Sequence, residues 1–282
     1  MDWRGLSPDE LERHYNPRVA VPDFERHIET VRKMSAAARE RLASRLDIRY
    51  GEGPLETLDV FPANRPQAPI HVYIHGGYWR LLDKSDYSVV AEPLVAAGAT
   101  VVTLNYDLCP AVTLDDVVAE TLRGITWVAR NAADLGGDAG RIYLSGHSAG
   151  AHLAAMAIGH DWTAEALPAD LVKGAVLVSG IYDPQPVLGI SANQDIRLTR
   201  EMARRNNACK RPPRGGGEVL VAVGGDETEG WIAQSRAYHR AAGVRTDLLV
   251  VPERHHFSVS YDMVDAERPL CRAMLAQMGL GR

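Results

Sequence analysis

Short runs of almost wholly apolar residues recur along the chain, and many of their members are β-branched. Six runs carry the pattern: PIHVYIHGG, GATVVTLNY, GRIYLSGH, KGAVLVSG, GEVLVAVGG and TDLLVVP. Each ends at glycine, proline or polar residues. Strands that are buried on both faces of a sheet have this pattern, whereas strands with one face in water alternate polar and apolar residues.

Stretches with apolar residues at helical spacing lie between most of these runs. They are DYSVVAEPLVAAG, LDDVVAETLRGITWVARNAADLG, SAGAHLAAMAIGH and GWIAQSRAYHRAAG. Strands that alternate with helices form βαβ units, so the chain is predicted to be an α/β protein with a mainly parallel central sheet and helices on both faces. Ahead of them, DIRYGEGPLETLDVF alternates around a Gly-Pro turn, which predicts an antiparallel hairpin.

Two regions interrupt this alternation. Residues 1–46 are rich in Arg, Glu and Ala with scattered apolar positions, which predicts a helical N-terminal arm lying over the main body. Residues 183–217 are rich in Pro, Arg and Asn, and so long a connection is often a functional cap. We expect this cap-like insertion to shape the leaving-group side of a pocket. No linker is visible, so residues 1–282 are predicted to form a single domain.

The composition is that of an ordinary globular protein, with 46% apolar residues, 24% charged residues and a formal net charge of −5. No long basic stripe with interleaved aromatic residues occurs, so nucleic acid is not an expected partner. The N-terminal MDWRGLSPDELERHY lacks the apolar segment of a signal peptide, and no stretch approaches the length of a membrane span. We expect a cytoplasmic protein with no membrane partner. The oligomeric state, a homodimer included, is left open.

The cysteines do not indicate a disulfide framework or a thiolate metal site. Cys109, Cys209 and Cys271 are widely spaced, odd in number and without a CxxC pair. The HExxH, P-loop and GxGxxG patterns are also absent from the sequence. We therefore expect neither a metal nor a cofactor.

Ser148 lies at a point where the chain changes from strand to helix. It follows the run RIYLSG almost directly and opens SAGAHLAAMAIGH. A G-x-S-x-G sequence in this context forms a nucleophile elbow, in which Gly146 and Gly150 avoid collisions across a sharp turn that exposes the serine Oγ. The new helix also directs the positive end of its dipole at Ser148. The sequence therefore predicts a serine nucleophile.

A second glycine-rich turn follows an earlier strand. VYIHGGYWR places His75, Gly76, Gly77, Tyr78 and Trp79 where backbone N–H groups can be left unpaired. An HGGG-type turn supplies oxyanion-hole donors, together with the N–H of the residue after the nucleophile. Here the donors are predicted to be the N–H groups of Gly77, Tyr78 and Ala149.

A serine nucleophile needs a base and an orienting acid, which in this fold follow it in the order acid, then histidine. One later strand ends near Asp226 and Glu227, and the next ends near His255 and His256, so the order is satisfied. The remaining candidates are expected to have structural roles. We expect His75, His152 and His160 to pack or cap, His147 to point away across the elbow, and Asp107 to hold a turn or an ion pair.

Taken together, HGGYW, NYDLCP, GHSAG, WIAQS and HHF resemble the kynurenine formamidase (arylformamidase) and related esterase family of α/β-hydrolases. The resemblance implies an α/β-hydrolase fold in which Ser148 attacks the substrate and His256 acts as the base. It also implies that Glu227 orients His256, because the family commonly has an acid four residues before the aromatic of the WIAQS-like segment. Many members have Asp there, and the neighbouring Asp226 is the alternative.

The resemblance implies covalent hydrolysis of a small-molecule acyl substrate without a cofactor. The leading interpretation is hydrolysis of an N-formyl arylamine, and the alternative within the class is a general short-chain carboxylesterase. An alternative of another class is a non-catalytic α/β-hydrolase that only binds its ligand. Because Tyr78 and Trp79 follow the oxyanion glycines, a bulky ring is expected beside the acyl site, where it leaves room for little beyond formyl or acetyl.

Overall fold

The computed structural model describes residues 1–243 and 246–281, and the strands of these residues form one eight-stranded sheet. The strands are β1 (Arg45–Arg49), β2 (Thr57–Phe61), β3 (Ala68–Ile74), β4 (Thr100–Leu104), β5 (Gly137–His147), β6 (Val172–Val178), β7 (Glu218–Gly224) and β8 (Thr246–Val251). Their order is β1-β2-β4-β3-β5-β6-β7-β8. Within this sheet β2 pairs antiparallel with both of its neighbours, β1 and β4, and β3 to β8 are parallel to one another. The predicted hairpin and the mainly parallel sheet are confirmed.

The sheet is buried on both faces. Along β4, Val102 and Leu104 belong to one hydrophobic core, whereas Val101 belongs to the other. Successive side chains of a strand point to opposite faces, so each apolar run supplies both cores at once. This explains why the strands lack the alternation of polar and apolar residues.

Helices cover both faces, as the alternating pattern predicts. They are α1 (Pro8–Tyr15), α2 (Pro17–Ala20), α3 (Phe24–Arg41), α4 (Ala91–Ala96), α5 (Leu114–Arg130), α6 (Ala149–Ile158), α7 (Asn193–Ile196), α8 (Arg200–Arg205), α9 (Glu229–Ala242) and α10 (Pro269–Gln277). Buried residues of α5, α6 and α9 join one core, and those of α3, α4 and α10 join the other. Within the described residues, no helix is both long and apolar enough to cross a membrane.

Some boundaries differ from the sequence pattern. The first half of DYSVVAEPLVAAG is a 3-10 helix, Lys84–Val90, and α5 ends at Arg130 rather than near Gly136. The helix α10 was not predicted. The arm is helical as far as Arg41, but β1 begins at Arg45, inside the range predicted for the arm. We therefore use the term arm for residues 1–44.

The arm begins its helix α1 with a complete capping box. The Ser7 Oγ accepts a hydrogen bond from the Glu10 N–H, and the Glu10 carboxylate accepts one from the Ser7 N–H. Residues 183–217 contain α7, α8 and the two 3-10 helices Gln185–Gly189 and Ala208–Lys210. Residues 183–217 are thus built of short helices, whereas the arm also contains the long helix α3.

Candidate active site

Ser148 lies in the turn between β5 and α6, with φ 57° and ψ −120°. This backbone conformation is rare for a residue with a side chain, and such strain concentrates at functional sites. The flanking glycines are required by close approach. A Cβ on Gly150 would lie 2.0 Å from the Ile74 carbonyl oxygen, and one on Gly146 would lie 2.4 Å from the Gly150 carbonyl carbon. The turn is held by a 2.8 Å hydrogen bond from the Ser148 N–H to the Val178 carbonyl.

Ser148, His256 and Glu227 form one hydrogen-bonded line. The His256 Nε2 lies 3.0 Å from the Ser148 Oγ, and the His256 Nδ1 lies 2.7 Å from the Glu227 Oε2. All three residues are buried. When Nδ1–H donates to the carboxylate, the lone pair of Nε2 faces the serine hydroxyl and can accept its proton.

The carboxylate of Glu227 is itself fixed. Its Oε1 accepts a 2.7 Å hydrogen bond from the Gly224 N–H and a second, short one from the Ser179 Oγ. Ser179 directly follows β6 and has φ 51°. Sequence reasoning missed Ser179, although it follows the same signal as the other site residues: a polar residue at the end of an apolar run and before a glycine.

The neighbouring Asp226 and His255 lie outside this line. Asp226 is exposed, and its N–H donates to the Arg254 carbonyl. The His255 Nδ1 accepts hydrogen bonds of 3.2 Å from the N–H groups of Phe257 and Ser258. Burial lowers the pKa of His255, and the nearby charge of His27 lowers it further.

Two aromatic rings and one histidine hold His256 in place. The rings of Trp231 and Phe257 lie 4.2 Å and 5.5 Å from the His256 ring, centroid to centroid. The His147 Nε2–H donates a 2.7 Å hydrogen bond to the His256 carbonyl. Burial, with a further contribution from the charge of His256, lowers the pKa of His147 to about 3, so His147 stays neutral near pH 7.

The expectation that His147 points away from the elbow was wrong. Its ring lies 4.8 Å from the His256 ring and lines the same cavity as Ser148. The reason is the hydrogen bond to the His256 carbonyl, a backbone acceptor that comes from a distant loop and leaves no trace in the local sequence.

The turn after β3 has the geometry of an anion-binding loop. Gly77 has φ 110°, and a Cβ there would lie 2.0 Å from the Leu81 carbonyl oxygen. Tyr78 has φ 53°. Within residues 1–243 and 246–281, the hydrogen bonds include none donated by the backbone N–H of Gly77, Tyr78 or Ala149. Unpaired N–H groups beside a nucleophile are suited to an oxyanion.

The other residues of HGGYW support this loop from behind. The His75 ring stacks on Tyr106 at 4.3 Å, and its Nε2 lies 2.9 Å from the Asn105 Oδ1. Trp79 was expected at the pocket but is fully buried, with its ring 5.1 Å from that of His152. Tyr78 alone of the two aromatics lines the cavity, because the Trp79 ring packs in the core against His152.

His75, Gly76, Gly146 and Gly150, also grouped with the pocket in the prediction, do not line the cavity either. They act through backbone clearance and packing. A Cβ on Gly76, for example, would lie 2.9 Å from the His147 carbonyl oxygen and 3.2 Å from the Ser148 Cβ.

The remaining candidates have the predicted structural roles. The His152 Nε2–H donates a 2.7 Å hydrogen bond to the Asn206 carbonyl, and the His160 Nε2 lies 2.9 Å from the Glu165 Oε1. The Asp107 Oδ1 accepts a 2.7 Å hydrogen bond from the Leu55 N–H, which is a turn contact rather than an ion pair. In the described part of the chain, no group of three or more His, Cys, Asp or Glu side chains could hold a metal ion.

A cavity of about 50 Å³ opens over Ser148. It is lined by Asn16, Pro17, Arg18, Ile28, Gly77, Tyr78, Arg80, Leu81, Leu82, Tyr87, His147, Ser148, His256 and Phe257. The arm thus supplies one wall. None of the described residues between 183 and 217 lines the cavity, contrary to the expectation for a cap, because this segment packs beside the arm instead.

The chain is similar to several known proteins. The BD-FAE family model matches residues 58–171. The kynurenine formamidase of Danio rerio is 35% identical over 294 residues, covering 99% of each chain, and that of Salmo salar is 33% identical over 294 residues, covering 98% of each. A solved structure of a candidate thioesterase from Silicibacter sp. TM1040 superposes with a TM-score of 0.84 at 27% identity, covering 96% of this chain and 99% of that chain.

Proposed function

The chain belongs to the kynurenine formamidase family of α/β-hydrolases, and we propose from this that it hydrolyses the formamide bond of N-formyl arylamines. It is a hydrolase, and we assign catalysis to Ser148, His256 and Glu227. The observation that carries the assignment is the buried line of hydrogen bonds from the Glu227 carboxylate through His256 to the Ser148 Oγ.

In the acylation step, the Ser148 Oγ attacks the formyl carbon while its proton passes to the His256 Nε2. The carbonyl oxygen becomes an oxyanion, which the N–H groups of Gly77, Tyr78 and Ala149 stabilise. Glu227 stabilises the imidazolium that forms. The His256 Nε2 then returns the proton to the arylamine nitrogen, the C–N bond breaks, and Ser148 carries a formyl ester.

Deformylation repeats these steps with water. His256 takes a proton from water, the resulting hydroxide adds to the formyl carbon, and collapse of the second oxyanion returns the Ser148 hydroxyl and releases formate. No group outside the triad and the backbone donors enters this scheme.

The position of Tyr78 favours the smallest acyl groups. Its ring lies in the cavity wall directly after Gly77, so it limits the room for a long acyl chain beside Ser148. A formyl carbonyl is also unhindered, and an arylamine is a better leaving group than an alkylamine, so His256 has less protonation to perform.

Hydrolysis of short-chain aryl esters is the second candidate activity. The triad and the backbone donors act on the carbonyl group, and none of these contacts distinguishes a leaving nitrogen from a leaving oxygen. A protein that only binds its ligand is disfavoured, because such proteins usually lack a triad member and here all three are hydrogen-bonded.

The test is a comparison of kcat/KM for N-formylkynurenine with kcat/KM for formyl, acetyl, butyryl and octanoyl esters of one phenol. We expect turnover of N-formylkynurenine and a decline along the ester series, where each tenfold step corresponds to about 1.4 kcal/mol of differential transition-state binding. If N-formylkynurenine is not hydrolysed, the formamidase activity is excluded and hydrolysis of short-chain aryl esters becomes the proposed activity. Equal hydrolysis of the octanoyl ester would contradict the narrow acyl site.

We also propose that the enzyme works in the cytoplasm. Cys109 and Cys271 are buried free thiols and Cys209 is a partly buried one, which suits a reducing compartment. Cell fractionation tests the location, and light scattering after size-exclusion chromatography distinguishes a monomer from the homodimer that the sequence leaves open.

A further inference from the structure

Two arginines line the cavity over Ser148, Arg18 and Arg80. Arg80 is paired with the Asp195 carboxylate. Arg18 differs, because no carboxylate within the described residues lies within ion-pair distance of it. A cation that lies in an active-site wall without a protein anion is available to a substrate.

The backbone of Arg18 is held by a hydrogen bond, and its guanidinium lies against an aromatic ring. The Asn16 Oδ1 accepts a 3.1 Å hydrogen bond from the Arg18 N–H, and the Asn16 Nδ2 donates a 2.6 Å hydrogen bond to the Glu12 Oε1. The guanidinium carbon of Arg18 lies 4.8 Å from the centroid of the Phe24 ring. Stacking uses the face of a guanidinium and leaves its N–H edge free for an acceptor.

The surroundings of Arg18 penalise its charge. Burial lowers the pKa of Arg18, and the like charge of Arg80 lowers it further, against a weaker attraction from Glu25. Two like charges that share a partly buried wall repel each other, and a bound anion would offset both the repulsion and the lost hydration. Packing against the apolar neighbours Ile28 and Leu82 does not require a guanidinium group at this position.

We propose that Arg18 is a specificity-determining residue that binds a carboxylate on the leaving group of the substrate. The proposal rests on the proposed formamidase function. Arg18 and Ser148 line one cavity, so a single substrate molecule can contact both of them. A formyl group carries no further substituent, so the carboxylate belongs to the arylamine part. The group assigned to Arg18 is therefore a carboxylate of the arylamine, which the planar guanidinium binds in a bidentate manner.

The experiment measures kcat and KM for N-formylkynurenine and for its decarboxylated analogue, N-formylkynuramine, which differ by one carboxylate. The variants are Arg18→Gln and Arg18→Lys, with Arg13→Gln as the matched control because Arg13 is an exposed arginine of the same arm. We expect the wild type to favour N-formylkynurenine by about 10- to 100-fold in kcat/KM, the range for a charge-assisted hydrogen bond.

Arg18→Gln is expected to remove this preference by raising KM for N-formylkynurenine, with kcat and all constants for N-formylkynuramine little changed. Arg18→Lys should restore part of the preference, and Arg13→Gln should keep all of it. An equal loss on both substrates would show that Arg18 only supports the fold, and an unchanged preference would show that the carboxylate binds elsewhere. Either result overturns the proposal.

A second pair of substrates separates this proposal from the formamidase function. If neither formamide is hydrolysed, the same variants are assayed with 3-carboxyphenyl acetate and 3-carbamoylphenyl acetate, which differ in charge but little in shape. Loss of the carboxylate preference in Arg18→Gln would then support the role of Arg18 while the formamidase function fails. A wild type without any carboxylate preference in both pairs would overturn the role of Arg18.

Discussion

The cavity over Ser148 has two walls of different origin. The catalytic side is lined by residues at or after the ends of β3, β5 and β8, and the turns after β6 and β7 hold Ser179 and Glu227 behind it. The arm side is lined by Asn16, Pro17, Arg18 and Ile28. On the catalytic side, glycines and positive φ angles bring the chain into close approach within each turn. On the arm side, the position depends on contacts with distant residues. The first kind of wall is encoded locally and the second is not.

Two of the contacts that hold the arm near the end of α1 are made to its backbone carbonyls. The Tyr78 hydroxyl donates a short hydrogen bond to the Tyr15 carbonyl, and the Thr228 Oγ1–H donates a 2.6 Å hydrogen bond to the His14 carbonyl. The Glu12 carboxylate adds hydrogen bonds of 2.7 Å and 2.6 Å from the N–H and the Oγ of Ser191. Changes on the catalytic side should therefore act on kcat, and changes on the arm side on KM.

The largest effect is expected for Ser148→Ala, which should abolish turnover without unfolding the protein. In a well-studied serine protease, loss of the nucleophile costs about 10⁶-fold in kcat. Alanine keeps the backbone of the elbow and removes one hydroxyl. Steady-state rates and thermal unfolding are measured together, with a fluorophosphonate probe reporting on the serine. A folded variant with near-wild-type activity would exclude Ser148 as the nucleophile.

The second-largest effect on kcat is expected at the triad acid, Glu227. Glu227→Gln should lower kcat by about 10⁴-fold, as neutralising a triad acid does in the serine-protease template, because the amide cannot stabilise the imidazolium. Asp226→Asn is the matched control on the adjacent residue, which is exposed and outside the hydrogen-bonded line. If Asp226→Asn alone lost its activity, the assignment of Glu227 would be wrong.

The same difference between the two sides explains what the sequence predicts. The strands, the elbow at Ser148 and the glycine-rich turn at Gly77 follow from apolar runs and glycines close in sequence. Ser179 was missed because its contact with Glu227 exists only through the adjacency of β6 and β7 in the sheet. The arm wall was missed because a carbonyl such as that of Tyr15 is common to every residue and carries no side-chain signal.

Three buried histidines should make the folded protein sensitive to acid. Burial lowers the pKa of His71 to about 3, that of His147 to about 3 and that of His152 to about 4. Below the unfolded pKa of about 6.5, the unfolded chain binds protons that the folded chain does not, so stability falls as pH falls, until the folded pKa is reached. Each histidine contributes a slope of up to about 1.4 kcal/mol per pH unit.

Urea unfolding at pH 7.5, 6.0 and 5.0 measures this slope. His147→Gln should be less stable than the wild type at pH 7.5, because its hydrogen bond to the His256 carbonyl is altered, but its stability should fall less steeply with pH. A slope identical to that of the wild type would mean that His147 titrates alike in the folded and unfolded chains.

The smallest effect is expected on the arm side, for Glu12→Gln. Burial raises the pKa of the Glu12 carboxyl, but hydrogen bonds from Ser191 and Asn16 outweigh this effect, so the net pKa is lowered. The contact between Glu12 and Ser191 is therefore fully present above the ordinary carboxyl pKa of about 4.3 and weakens as pH falls below it. The carboxylate of Glu12 accepts from both donors of Ser191. A glutamine offers one oxygen, and its NH₂ group would face a second donor. We expect KM to rise about three- to tenfold, since charge-assisted hydrogen bonds are lost at a partly exposed site, while kcat stays close to that of the wild type.

Glu10→Gln is the matched control, because Glu10 lies in the same helix but bonds only to Ser7 within the arm. A fall in kcat in Glu12→Gln, or an equal rise in KM in both variants, would mean that the arm side does not act through substrate binding alone and that the two walls are coupled.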